Sequence, residues 1–165
     1  MAAKSQIRTL ILIRGVPGSG GTTLARAICA GMGPALVGST GNGWFWDKPS
    51  IVHFEQDMFF MDKGTYKYDD TKQNAADMWC EENVRRAMEN STNIIVVSNK
   101  FVRLYEISPY FALAKAHKYN VQEIIVDAEF TSIHHPPEKV ERCRRMFQFR
   151  PRTYELGAIN IADHK

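Results

Sequence analysis

The sequence predicts an α/β domain built as a three-layer sandwich with a central parallel sheet, and three observations predict it. Short apolar runs alternate with segments of helical period. The first run is a continuous apolar stretch, as a strand buried on both faces would be. That run ends in a glycine-rich turn which opens directly into a helix. Strands that alternate with helices pair in parallel through right-handed crossovers.

Each element has its own local reason. Residues 7–13, "IRTLILI", form the first β-branched apolar run. After the turn, "TTLARAICAGM" (22–32) places Leu24, Ala27 and Ile28 on one helical face and is expected to stop at Gly31 and Gly33. Three more apolar runs follow, "SIVHF" at 50–54, "NIIVVS" at 93–98 and "VQEIIVD" at 121–127. The segments between and after them have room for helices at 72–90, 106–119 and 136–149. In the first of these, Ala76, Trp79, Cys80, Val84 and Ala87 fall at helical spacing. The segment 33–49 is rich in glycine and reads as a loop or small hairpin. Its Trp44, Phe45 and Trp46 are either a hydrophobic plug or a platform on which a base could stack.

The 165 residues are expected to form one domain with a real core. The composition, 44% hydrophobic and 24% charged, is that of a folded water-soluble domain rather than a disordered chain. No apolar run approaches the roughly 18 residues of a membrane span, and the chain is expected to be cytoplasmic and not membrane-bound. Cys29, Cys80 and Cys143 are odd in number and widely spaced, which fits reduced packed thiols better than disulfides or a metal site. "HHPP" at 134–137 reads as a turn before a proline-started helix rather than as metal ligands. A net charge of +3 is mild, yet residues 138–152 hold six bases, Lys139, Arg142, Arg144, Arg145, Arg150 and Arg152, against Glu138 and Glu141.

The chemistry is concentrated in "GVPGSGGTT", Gly15 to Thr23. A glycine-rich turn between a buried strand and a helix aims backbone N–H groups at one point, and the helix N-terminus adds partial positive charge. Gly15, Gly20 and Thr22 satisfy the phosphate-loop pattern G-x-x-x-x-G-K-[ST], but Gly21 stands where the lysine belongs. Gly15, Pro17, Gly18, Ser19, Gly20, Gly21, Thr22 and Thr23 are therefore the candidate nucleotide-binding residues, with the Thr22 hydroxyl as the magnesium ligand. A charge that stabilises phosphoryl transfer is typically worth several kcal/mol, so its loss should affect turnover more than binding. Arg14 or Lys100 could carry the charge instead, and the sequence favours neither.

With these residues, the chain resembles the P-loop kinases related to the kinase domain of phage polynucleotide kinase and to the ATP-binding domain of the NEDD4-binding protein 2-like group. Apart from Gly21, "LIRGVPGSGGTTLARAI" is similar to the family's opening. "HFEQDMFF" (53–60) resembles the segment whose aspartate activates the acceptor hydroxyl. "GTYKYDDTKQNAADMWCEENVRRAM" (64–88) resembles its aromatic-Asp stretch, with Asp77 in place of a frequent histidine. "VVSNKFVRLYEISPYFALAKAHKYNV" (96–121) resembles its third strand and following helix, with Ser98 where an aspartate is usual.

The resemblance implies a P-loop NTPase fold that uses ATP and Mg2+. It makes Asp57 the general base, and it makes the basic region at about 134–152 a lid whose Arg142 and Arg145 meet the phosphates. The implied activity is transfer of the γ-phosphate to a hydroxyl of a nucleoside, nucleotide or polynucleotide 5′ end. The alternative is a catalytically inactive nucleotide- or nucleic-acid-binding module, a pseudokinase. Gly21 and Ser98 favour the module, whereas Asp57, Thr22 and the basic lid favour the enzyme.

Overall fold

A computed structural model describes residues 7–35, 51–128, 132 and 135–150. The first strand, β1 (Thr9–Arg14), leads through the glycine loop into helix α1 (Gly21–Ala35). Strand β2 (Ile51–Phe54) is followed by a short 3-10 turn over Gln56–Phe60 and a small hairpin, β3 (Met61–Asp62) and β4 (Thr65–Tyr66). Then come α2 (Gln73–Glu89), β5 (Ile94–Asn99), α3 (Leu104–His117), β6 (Asn120–Ile125) and α4 (Pro137–Met146).

The main sheet has the order β2-β5-β1-β6, with every pairing parallel. Because successive side chains of a strand point to opposite faces, β1 feeds two separate cores. Leu10 and Leu12 join Ile95 and Val97 under α2 and α3, where Cys80, Val84, Met88, Ile107, Tyr110 and Ala114 pack on them. Ile11 and Ile13 join Val96 on the other face under α1, against Leu24, Ala25 and Ile28. The uninterrupted apolar run of β1 is thus explained by its central place between two helical layers, and the expected three-layer α/β sandwich is what forms.

Three boundaries differ from expectation. Helix α1 continues through Gly31 and Gly33 to Ala35; a Cβ at Gly31 would meet nothing within 4 Å, so that glycine sits on an open face and does not end the helix. Helix α4 ends at Met146, because the chain beyond it leaves to pair with the sheet region: the Gln148 N–H donates to the Val102 carbonyl at 2.8 Å. The hairpin after β2 was expected only as loop; Lys63 (φ 48°) and Gly64 (φ 84°) form a two-residue turn with both φ values positive, the geometry that matches the twist of tight hairpins. No described helix is long and apolar enough to cross a membrane. The segment 36–50, with Trp44, Phe45 and Trp46, lies outside the described residues, as does His134.

Candidate functional site

The glycine loop sits at the carboxyl edge of the parallel sheet, where open α/β folds place their ligands. Gly18 (φ 84°) and Gly20 (φ 94°) take backbone angles that side chains disfavour, which is how the loop curls over its own N–H groups. Within it, the buried Ser19 donates its backbone N–H to the Val16 carbonyl at 3.0 Å, and α1 starts immediately afterwards. The loop forms one wall of a cavity of about 560 Å³. All eight residues expected to bind nucleotide, Gly15, Pro17, Gly18, Ser19, Gly20, Gly21, Thr22 and Thr23, line it. The opposite wall is made by Glu55, Gln56, Asp57 and Met58 after β2, by Tyr66 of the hairpin, and by Ser98, Asn99 and Lys100 at the end of β5.

The floor of this cavity holds a carboxylate that sequence reasoning missed. Glu55 is only 7% exposed, and its Oε2 accepts the Thr22 hydroxyl at 2.7 Å and the Ser98 hydroxyl at 3.2 Å. His53 Nε2 lies 2.7 Å from Ser98 Oγ. Burial lowers the His53 pKa; the Glu55 charge opposes that shift and the Arg26 charge reinforces it. With its hydroxyl proton directed to Glu55, Ser98 accepts from His53, so the neutral imidazole carries its proton on Nε2. Two hydroxyls and one imidazole therefore converge, directly or in relay, on Glu55.

This arrangement corrects one conclusion from the sequence. Ser98 at the end of β5 was counted as the loss of a carboxylate beside the phosphate loop. The neighbouring strand β2 delivers one to the same place through Glu55. Its signal in the sequence was slight: an acid directly after an apolar run that ends at the ligand-bearing edge.

Asp57 stands in the 3-10 turn and accepts the Tyr66 hydroxyl at 3.0 Å. Burial, followed by the Asp57 charge and hydrogen bond, raises the Tyr66 pKa, so the phenol remains a donor. The turn is held by its neighbours. The Gln56 N–H donates to Asn99 Oδ1 at 2.8 Å, Gln56 Nε2 donates to Asp77, and Gln73 Nε2 donates to the same Asp77 oxygen at 2.9 Å. Asp77 thus braces the segment that carries Asp57 and does not itself line the cavity.

The two cations left open as substitutes for the missing lysine have different fates. Arg14 is fully buried: its Nε and Nη2 donate to the Phe101 carbonyl at 3.0 and 2.8 Å, and Nη2 also donates to the Gln148 carbonyl at 2.7 Å. Its Nη1 is 2.6 Å from Glu123 Oε1, and its guanidinium lies over the Phe147 ring. Arg14 is spent on structure. Lys100 is half-buried, lines the cavity, and its carbonyl accepts the Gly15 N–H at 3.3 Å.

Helix α4 begins at Pro137 after Pro136, as expected of a proline-started helix. Arg142 and Arg145 are exposed on it and do not line the cavity; Arg145 Nε is 3.9 Å from Glu141 Oε1. The α4 base nearest the site is Lys139, whose Nζ lies 4.7 Å from the Tyr68 ring centre. Burial, then the Lys100 charge, lowers its pKa.

Among the described residues no group of three or more His, Cys, Asp or Glu side chains is arranged to hold a metal by itself. Magnesium does not need one: it keeps several waters and is bound through one or two carboxylates and substrate phosphates. The Thr22 hydroxyl tied to the Glu55 carboxylate fits that donor set.

No family model matches the chain. Human NEDD4-binding protein 2 is 31% identical over 112 residues, which is 68% of this chain and 5% of that protein, so the chain spans a small fraction of that relative's length. Among solved structures, a chain of a Pnkp1/Rnl/Hen1 complex superposes with a TM-score of 0.51 at 15% identity, covering 100% of this chain and 45% of that one. Kti12 of Chaetomium thermophilum in complex with ADP-AlF3 gives 0.52 at 13% identity, over 85% of this chain and 80% of that one. A gluconokinase from Sinorhizobium meliloti 1021 gives 0.53 at 13%, over 87% and 77%. The fold is the α/β P-loop NTPase fold, with the sheet and phosphate loop in the positions described above.

Proposed function

We propose that this domain is a P-loop kinase that passes the γ-phosphoryl group of ATP to a hydroxyl of a nucleoside, nucleotide or polynucleotide 5′ end. The observation that carries the reading is the Thr22–Glu55 hydrogen bond at the mouth of an open glycine loop, with Asp57 on the facing wall. A fold neighbour that carries ADP-AlF3 and another that is a gluconokinase support it.

The loop N–H groups and the start of α1 would hold the β- and γ-phosphates. Thr22 and Glu55 would hold the Mg2+, whose charge offsets that of the phosphate oxygens. The acceptor oxygen attacks phosphorus as the bond to the β–γ bridging oxygen breaks, ADP leaves, and the acceptor proton passes to Asp57 and then to water. Tyr66, donating to Asp57, would fix which carboxylate oxygen faces the acceptor. Arg142 and Arg145 would reach the phosphates only if α4 moved toward the loop, as a lid does.

The test combines MgATP calorimetry with transfer of labelled phosphate to a panel of nucleosides, nucleotides and 5′-hydroxyl oligonucleotides. Binding and transfer are expected, with transfer lowered about 10²- to 10⁴-fold by Asp57→Asn at unchanged MgATP affinity. Absence of MgATP binding would overturn the reading. Binding without transfer to any acceptor would identify the nucleotide-holding module that Gly21 otherwise favours.

A further inference from the structure

We propose that the Lys100 ammonium is the cation that meets the outer phosphates of the bound nucleotide, entering from the end of β5 in place of the lysine absent at position 21. The inference rests on the nucleotide reading above and adds the residue that completes its charge.

Strand β5 lies between β1 and β2, so its carboxyl end opens directly beside the phosphate loop. The register pairs Arg14 with Asn99, and the next residue on each side is joined by the Gly15 N–H to Lys100 carbonyl bond at 3.3 Å. That bond fixes the Lys100 backbone at the loop entrance and leaves the side chain free to turn into the cavity it lines. Among the described residues the side chain makes no hydrogen bond or ion pair. The nearby charge is another cation, since the Lys139 ammonium feels Lys100 as a repulsion. Like charges brought together in a cleft without an anion between them mark a place where an anion is expected.

The alternatives fail on position. Arg14 has its donors engaged by Phe101, Gln148 and Glu123. Arg26 also lines the cavity, but it is exposed on the second turn of α1, where its charge bears on His53 at the β2 side. The empty place at Gly21 is real space: a Cβ there would meet only Ile13 Cγ2, at 3.7 Å, an ordinary contact. Position 21 thus accepts a lysine sterically, and the two sites for the charge can be exchanged experimentally.

MgATP affinity is measured by calorimetry for the unaltered chain, Lys100→Met, Lys100→Arg, Gly21→Lys and the double variant. Lys100→Met is expected to weaken MgATP binding roughly ten- to hundredfold, as for loss of a charge-assisted hydrogen bond. Its melting temperature should not change, and Lys100→Arg should retain most of the affinity. Gly21→Lys should change affinity little while Lys100 is present, and should restore most of it in the Lys100→Met background. If the unaltered chain binds no MgATP, the nucleotide reading fails and takes this proposal with it. If it binds MgATP and Lys100→Met binds equally well, or if Gly21→Lys gives its full gain with Lys100 in place, the Lys100 assignment alone is wrong.

Discussion

Replacing Arg14 with methionine should unfold the domain at lower temperature without weakening its grip on nucleotide. The substitution keeps an apolar stem under Phe147 but removes every N–H that the guanidinium donates. The Phe101 carbonyl loses both its Arg14 donors in a residue only 2% exposed. An orphaned buried acceptor costs about 1–3 kcal/mol, and stripping one partner from a buried ion pair about 3–5 kcal/mol. Glu123 moderates the second figure, because its side chain is 15% exposed and keeps Arg150 at 3.3 Å. The net loss is then about 3–4 kcal/mol, and at roughly 2–4 °C per kcal/mol for a domain of this size the melting temperature falls by about 6–15 °C. The assay is a thermal melt followed by circular dichroism, paired with MgATP calorimetry well below the midpoint. A melt within about 2 °C of the unaltered chain, or a roughly tenfold loss of MgATP affinity while the protein is still folded, would refute the structural role and return Arg14 to the list of phosphate cations.

Two further outcomes follow from the site. Gly15→Ala would place a Cβ 2.2 Å from Ser19 Oγ and 2.8 Å from the Val126 carbonyl oxygen, so it should cost about 1–3 kcal/mol and distort the loop, whereas Gly21→Ala should be neutral or stabilising by about 0.5–1 kcal/mol; urea midpoints separate the two. Burial lowers the His53 pKa below its ordinary 6.5, so its neutral form contributes stability that is fully present above that value and is lost as pH falls from there through the lower folded-state value. His53→Gln should therefore flatten the fall in urea midpoint between neutral and mildly acidic pH, and an unchanged slope would show that His53 does not titrate there. Glu55 and Arg26, whose charges bear on His53 with opposite signs, set how large that fall is.

What could be read from the sequence was what short-range chemistry decides. The apolar run of β1, the glycine turn after it and the helix that follows lie within a few residues of one another, and each needs its own residue types wherever the rest of the chain goes. The alternation of strands and helices similarly constrained the sheet to be parallel and layered. The eight loop residues and Asp57 were legible for the same reason, since parallel strands carry whatever follows them to one edge.

The charges of the site were decided only by the tertiary structure. Glu55 and Thr22 are 33 residues apart, and nothing local marks Glu55 as the carboxylate beside the phosphate loop. It becomes that when β2 pairs with β5 and β5 with β1, which brings the ends of three strands level. Arg14 and Lys100 looked equivalent as sequence, one cation at each of two strand ends. The register pairs Arg14 with Asn99, and the structure takes the arginine inward to the Phe101 and Gln148 carbonyls while the lysine turns toward the cavity. Local pattern determines where a loop can form, and the pairing of distant strands determines which charges surround it.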